Sequence, residues 1–144
     1  MSACLLGVRC NHEGDANTSA AVVALGERFR LVPVCPETAG GLSTPRPAAE
    51  RQPDGSVRNV TGDDVTDPYR RGADHAVRLA RTMGVAGAVL KARSPSCGCH
   101  EVYDGSFSRH RVPGEGVTAA ALRAAGIPVA DEDDVAAGRL PTDR

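Results

Sequence analysis

Five cysteines carry most of the chemistry this sequence can do: Cys4, Cys10, Cys35, Cys97 and Cys99. A thiolate is both a nucleophile and a metal ligand. No C-x-x-C pair occurs, so neither a zinc ribbon nor a thioredoxin-type redox motif is supported. The odd count fits poorly with a complete disulfide framework, and the first ten residues, MSACLLGVRC, lack the apolar core of a secretion signal. The expectation is a cytoplasmic protein with reduced thiols. Three readings of the cysteines stay open: inert buried thiols, one reactive thiol, or metal ligands drawn from distant segments. Cys4 followed by Arg9 resembles a phosphate-cradling loop, but the spacing is too short for the backbone to wrap an anion.

Two segments place other functional side chains beside cysteines. In VCPETAGG, Glu37 follows Cys35 directly after a run that ends at Pro36, where a general acid or base would face a ligand. Arg46 lies between two prolines in TPRP, held extended, where it can bind an anionic or polar substrate group or pair with Glu37. In KARSPSCG, Ser94 and Ser96 precede Cys97, and loops of this type present hydroxyls and backbone N–H groups to a ligand. Lys91 and Arg93 would raise the thiolate fraction of Cys97 electrostatically. His75 and His110 read as solvated. His12 and His100 each lie near a cysteine without forming a ligand spacing, and the DEDD run at 131–134 reads as a solvated face.

Elements must bring these residues together. Apolar runs at 2–6, 30–35, 86–91 and 127–130 read as strands. Helical spacing follows at 19–29, with Asn17 or Thr18 as cap, at 67–83, opened by Asp67-Pro68 and closed by Gly84, and at 117–126. QPDGS at 52–56 marks a hairpin turn, and YDGSF at 103–107 a turn with an anchoring aromatic. The alternation predicts one α/β domain over 1–144, three-layered and Rossmann-like, with a short, mainly parallel sheet and long functional loops. In such sheets ligands bind at the carboxyl ends of the strands. If the first three strands are parallel, Cys4, Cys35 and Cys97 emerge at one edge. With 144 residues, one core is expected. A net charge of −1 argues against nucleic-acid binding, and no apolar run is long enough to span a membrane.

The ordered set SACLLGVRC, VCPETAGGLSTPRPAAE, VTGDDVT, LKARSPSCG, VYDGSF and the 114–129 segment resembles the TudS-like 2-thiouracil desulfidase family over nearly the whole chain. The resemblance implies a 4Fe–4S cluster held by three cysteines only, at positions 4, 35 and 97 here. The substrate would be a thiolated pyrimidine such as 2-thiouracil, its sulfur binding the open fourth iron. Water would replace sulfur to give uracil and sulfide with no net redox change. Glu37 would be the base or proton shuttle, with Ser94 or Ser96 orienting substrate or water. The stretch Asn11-His12-Glu13-Gly14 departs from the family's usual aromatic followed by Asp-Gly or Asn-Gly, and Cys99 is extra to the motif. The expected partner is a small molecule, with the chain a monomer or small homo-oligomer. Two other readings remain: a non-catalytic iron–sulfur or zinc module for sulfur trafficking or sensing, and a metal-free thiol enzyme.

Overall fold

The computed structural model describes residues 1–142. Its centre is a short parallel sheet in which β3 (Ala88–Leu90) pairs with β6 (Val129–Asp131), Ala88 opposite Val129 and Leu90 opposite Asp131. Two extended segments widen it. Ser2 N donates to Val89 O at 2.9 Å, and residues 1–3 run parallel to 32–34 through Ala3 N to Val34 O (2.8 Å) and Val34 N to Met1 O (2.9 Å). The order across the sheet is therefore 32–34, 1–3, β3, β6. Pro33 sits on the outer segment, where a missing N–H removes no ladder bond.

The strand expected over 2–6 ends at residue 3. Ala3–Leu6 form a 3-10 turn closed by Gly7. The backbone carbonyls that would have extended the sheet are taken elsewhere: Cys4 O accepts from Asn17 N and Leu5 O from Ser19 N. The turn drops Leu5 fully into the core and leaves Cys4 at the end of the strand. The next helix, α1 (Ala20–Ala24), is capped by Ser19, whose side chain accepts from Val22 N, and not by Asn17 or Thr18. It passes into a 3-10 turn at Leu25–Glu27, short of the expected reach to residue 29.

Side chains alternate across a strand, and β3 shows the result. Val89 packs with Val22, Leu25 and Val135 on one face. Ala88 and Leu90 pack with Ala80, Ala119 and Leu122 on the other. The first face is covered by α1 and α5 (Glu132–Ala136), the second by α3 (Thr66–Met83) and α4 (Val117–Ala124). This is the expected α/β arrangement in three layers. Small and aliphatic side chains fill it, each buried Val or Leu contributing roughly 1.5–3 kcal/mol. Tyr69 is the one buried aromatic among the described residues.

Two antiparallel hairpins flank the sheet. β1 (Ala49–Arg51) and β2 (Val57–Asn59) close round the QPDGS turn as expected. β4 (Glu101–Tyr103) and β5 (Arg111–Pro113) enclose the YDGSF turn, and neither strand was legible in the sequence pattern. Each has three residues with a single apolar member in the middle, too little to show a period. A one-turn helix, α2 (Pro36–Ala39), follows Cys35. It lies directly on α3: a Cβ on Gly40 would stand 1.9 Å from Pro68 O, and one on Gly72 would stand 1.8 Å from Pro36 O. Only glycine permits that approach. No helix among the described residues is long and apolar enough to cross a membrane.

Candidate active site

At the carboxyl ends of the parallel segments lies a cleft of about 720 Å³ whose walls include Cys4, Cys35, Cys97, Glu37, Arg46 and Ser94. Cys4 comes from the turn after residues 1–3, Cys35 from the end of 32–34, and Cys97 from the loop after β3. The parallel pairing thus brings the three expected cysteines to one edge. Cys10 also lines the cleft, while Cys99 does not.

All five thiols are free. Burial pushes the Cys4 thiol above its ordinary range, and the neighbouring Cys35 adds to the shift. Burial likewise pushes Cys97 up to about 12, with Glu37 and Cys4 contributing, although Ser2 Oγ donates to its sulfur at 3.3 Å. Cys10 rises to about 12 through burial and the proximity of Cys35. The expected activation of Cys97 by cations fails on geometry. Lys91 Nζ is held by Glu132 at 2.8 Å, and Arg93 by Asp133 at 3.0 Å. Buried thiols that discourage one another's ionisation are poor free nucleophiles, and they suit a cation that offsets their charge.

Glu37 occupies the first turn of α2, and its side chain is 17% exposed. One carboxylate oxygen, Oε1, accepts from Arg46 Nε at 3.4 Å and also from the Tyr69 hydroxyl. The close approach at Gly40 and Gly72 is what sets Tyr69 against α2. Burial and the Glu37 charge both drive the Tyr69 pKa upward, so the phenol stays protonated and donates. Arg46 is more buried than Glu37, its side chain only 4% exposed. Its remaining donors go to Ser43 O and Thr44 Oγ1 (both 3.1 Å) and to Cys10 O (2.9 Å), and its backbone N to His12 O (2.9 Å). Most of the guanidinium is committed to protein partners, which fasten the 10–12 loop and Glu37 in place.

The two serines separate. Ser94 lines the cleft, and its Oγ accepts from Ser96 N (3.1 Å) and Cys97 N (3.0 Å). Ser96 is fully buried, its hydroxyl 2.9 Å from Thr118 Oγ1 on α4, and it does not line the cleft. Sequence reasoning missed Tyr69, which lies outside the quoted motifs, and Ser2, which opens SACLLGVRC but whose hydroxyl had no assigned role. Ser2 Oγ accepts from Lys91 N at 2.9 Å while donating to Cys97, so it stitches β3 to the cysteine loop. The DEDD run is not a uniformly solvated face: Asp131 and Asp134 are buried and form a capping box at the start of α5.

Comparison with known proteins places the chain in a family. The model of the 2-thiouracil desulfurase family matches residues 1–134. A solved structure of TudS, a 4Fe–4S-dependent thiouracil desulfidase, superposes with a TM-score of 0.87 at 44% identity, covering 94% of this chain and 91% of that one. The uncharacterized protein YbbK of Bacillus subtilis (strain 168) is 37% identical over 144 residues, covering 94% of this chain and 95% of its own. The chain belongs to the 2-thiouracil desulfurase family.

Proposed function

We propose that the protein is an iron–sulfur-dependent desulfidase that converts a thiolated pyrimidine such as 2-thiouracil, with water, to uracil and sulfide. The observation that carries this reading is the convergence of Cys4, Cys35 and Cys97 with Glu37 on one cleft. The donor set fits a 4Fe–4S cluster: three thiols from separate segments, two of them, Cys4 and Cys97, pushed up in pKa chiefly by burial, and all soft ligands suited to iron–sulfur chemistry. Bound by those three, the cluster would supply a Lewis-acidic iron that polarises a thiocarbonyl.

The chain's own residues do the rest. Glu37 Oε1 is pinned by Tyr69 and Arg46, which leaves Oε2 to take a proton from the incoming water and return it to the departing sulfur. Arg46 acts through Glu37, as a positioning residue, rather than as the substrate contact expected from its sequence. Ser94 already accepts two backbone N–H groups, so its own hydrogen is directed to an outside acceptor such as a pyrimidine carbonyl or the water. Ser96 holds the loop against α4.

Anaerobically purified protein should contain about four irons per chain and release sulfide from 2-thiouracil. Glu37→Gln should keep the iron and lose turnover. Colourless protein that takes up no iron on reconstitution overturns the proposal. Iron without sulfide release from any thiopyrimidine favours the non-catalytic module instead.

A further inference from the structure

Outside the cleft, behind the cysteine loop, four ligand atoms from Cys99, His100, Asp131 and Asp134 all lie within 4.8 Å of one another. None of the four residues lines the cleft. Asp131 has one oxygen tied down and the other facing His100, whereas Asp134 has both oxygens hydrogen-bonded. Asp131 Oδ1 accepts from Asp134 N at 2.9 Å, and its Oδ2 stands 3.9 Å from His100 Nε2. Asp134 Oδ1 is gripped by Arg139 Nε and Nη2 at 3.2 and 2.9 Å, and its Oδ2 accepts from Asp131 N at 3.1 Å and meets His100 Nε2 at 2.6 Å. Cys99 is only 2% exposed. It packs in the apolar cluster with Leu90, Ala119 and Leu122, and among the described residues its thiol has no hydrogen-bond partner, yet its sulfur lies within 4.8 Å of these oxygens.

We propose that Cys99, His100, Asp131 and Asp134 form a second metal site, for a single Zn²⁺. One thiolate, one imidazole and two carboxylates make four mixed donors, which suits tetrahedral zinc and not an iron–sulfur cluster. Arg139 on Asp134 and the capping bond on Asp131 are the outer contacts that orient ligands in such sites. On binding, the proton between His100 Nε2 and Asp134 Oδ2 and the Cys99 proton leave to solvent, and both partners turn to the metal. The site is structural: it clamps the loop two residues beyond Cys97 to the start of α5. It stands or falls independently of the desulfidase reading, because it shares no ligand with the cleft.

The test uses the full chain, purified anaerobically and equilibrated with Zn²⁺, then freed of loose metal. Iron and zinc are measured on the wild type, on His100→Ala and on Cys99→Ala. The expected result is about one tightly held zinc per chain in the wild type and none at this site in either variant, with iron the same in all three. Zinc should also raise Tm in the wild type and not in His100→Ala. Substituting Co²⁺ should give thiolate-to-metal charge-transfer absorption that vanishes in Cys99→Ala. The His100 side chain is about half exposed, so His100→Ala will fold even if Cys99→Ala does not. Equal zinc in wild type and His100→Ala, or no zinc in the wild type, overturns the proposal and leaves a packed thiol beside an ion pair.

Discussion

Cys97 and Cys99 are two residues apart and belong to different chemistry. Cys97 faces the cleft, among thiols delivered by two other segments and beside a pinned carboxylate. Cys99 does not line the cleft, and its sulfur lies within 4.8 Å of ligand atoms of a histidine and two aspartates at the head of α5. Gly98 sits between Cys97 and Cys99 at a tight turn of the loop. A Cβ there would stand 2.8 Å from Glu101 O and 2.9 Å from Ser94 O, so the loop folds more tightly between the two cysteines than a side chain at 98 would allow. The difference shows what sets each site. The cleft is fixed by the sheet, because its cysteines stand at the ends of parallel segments. The second cluster is fixed by a helix cap, because Asp131 and Asp134 are aimed by the bonds they make to the α5 backbone and to Arg139.

That contrast can be broken from either side. Cys97→Ser should abolish iron retention and take sulfide release to the uncatalysed background, measured by iron analysis and a sulfide assay. Undiminished iron would move the cluster elsewhere. Glu37→Gln should keep iron and lower kcat by about 100- to 10,000-fold, the range for a lost acid–base group.

The serines sharpen the comparison within one loop. Ser96→Ala leaves the buried Thr118 hydroxyl without its partner, at roughly 1–3 kcal/mol. Thermal unfolding should fall by several degrees while kcat is retained. Ser94→Ala should show the reverse emphasis, with a clear loss in kcat and a smaller fall in Tm. Equal effects from both serines would mean that neither faces substrate.

The smallest effect concerns acid stability at the second cluster. Burial opposes the charge on Asp134, yet hydrogen bonds from His100, the Asp131 backbone and Arg139 outweigh it and hold the carboxyl at about 2, against an ordinary 3.8. A pKa lowered on folding stabilises the charged form. The contribution, of order 2 kcal/mol, is present above the ordinary carboxylate range and lost as pH falls from about 4 to 2. Asp134→Asn should flatten that part of the acid-unfolding curve and leave turnover near pH 7 within about twofold of wild type. An unchanged acid transition would mean that the ion pair contributes nothing.

The chain order of apolar runs and turn residues was enough to read an α/β domain, a helix over 67–83 closed by Gly84 (it begins at Thr66, with Val65 and not Asp67 at its cap), and the meeting of Cys4, Cys35 and Cys97, because parallel strands deliver their ends to one edge. The motif set was enough to read the family. Only the tertiary structure decided the rest. Residues 4–6 turn instead of extending, since Asn17 and Ser19 take their carbonyls. Ser94 and Ser96 look equivalent in sequence, and the packing of α4 against one of them separates their roles. Arg46 reads in sequence either as a substrate contact or as a partner of Glu37, and its donors, committed to Glu37, Ser43, Thr44 and Cys10, favour the second. Tyr69 reaches Glu37 only because two glycines far apart in sequence let two helices touch. Cys99 and His100 meet Asp131 and Asp134 across some thirty residues with no motif between them. Spacing reports what one segment can do, whereas a site built from several segments exists only once packing has fixed their distances.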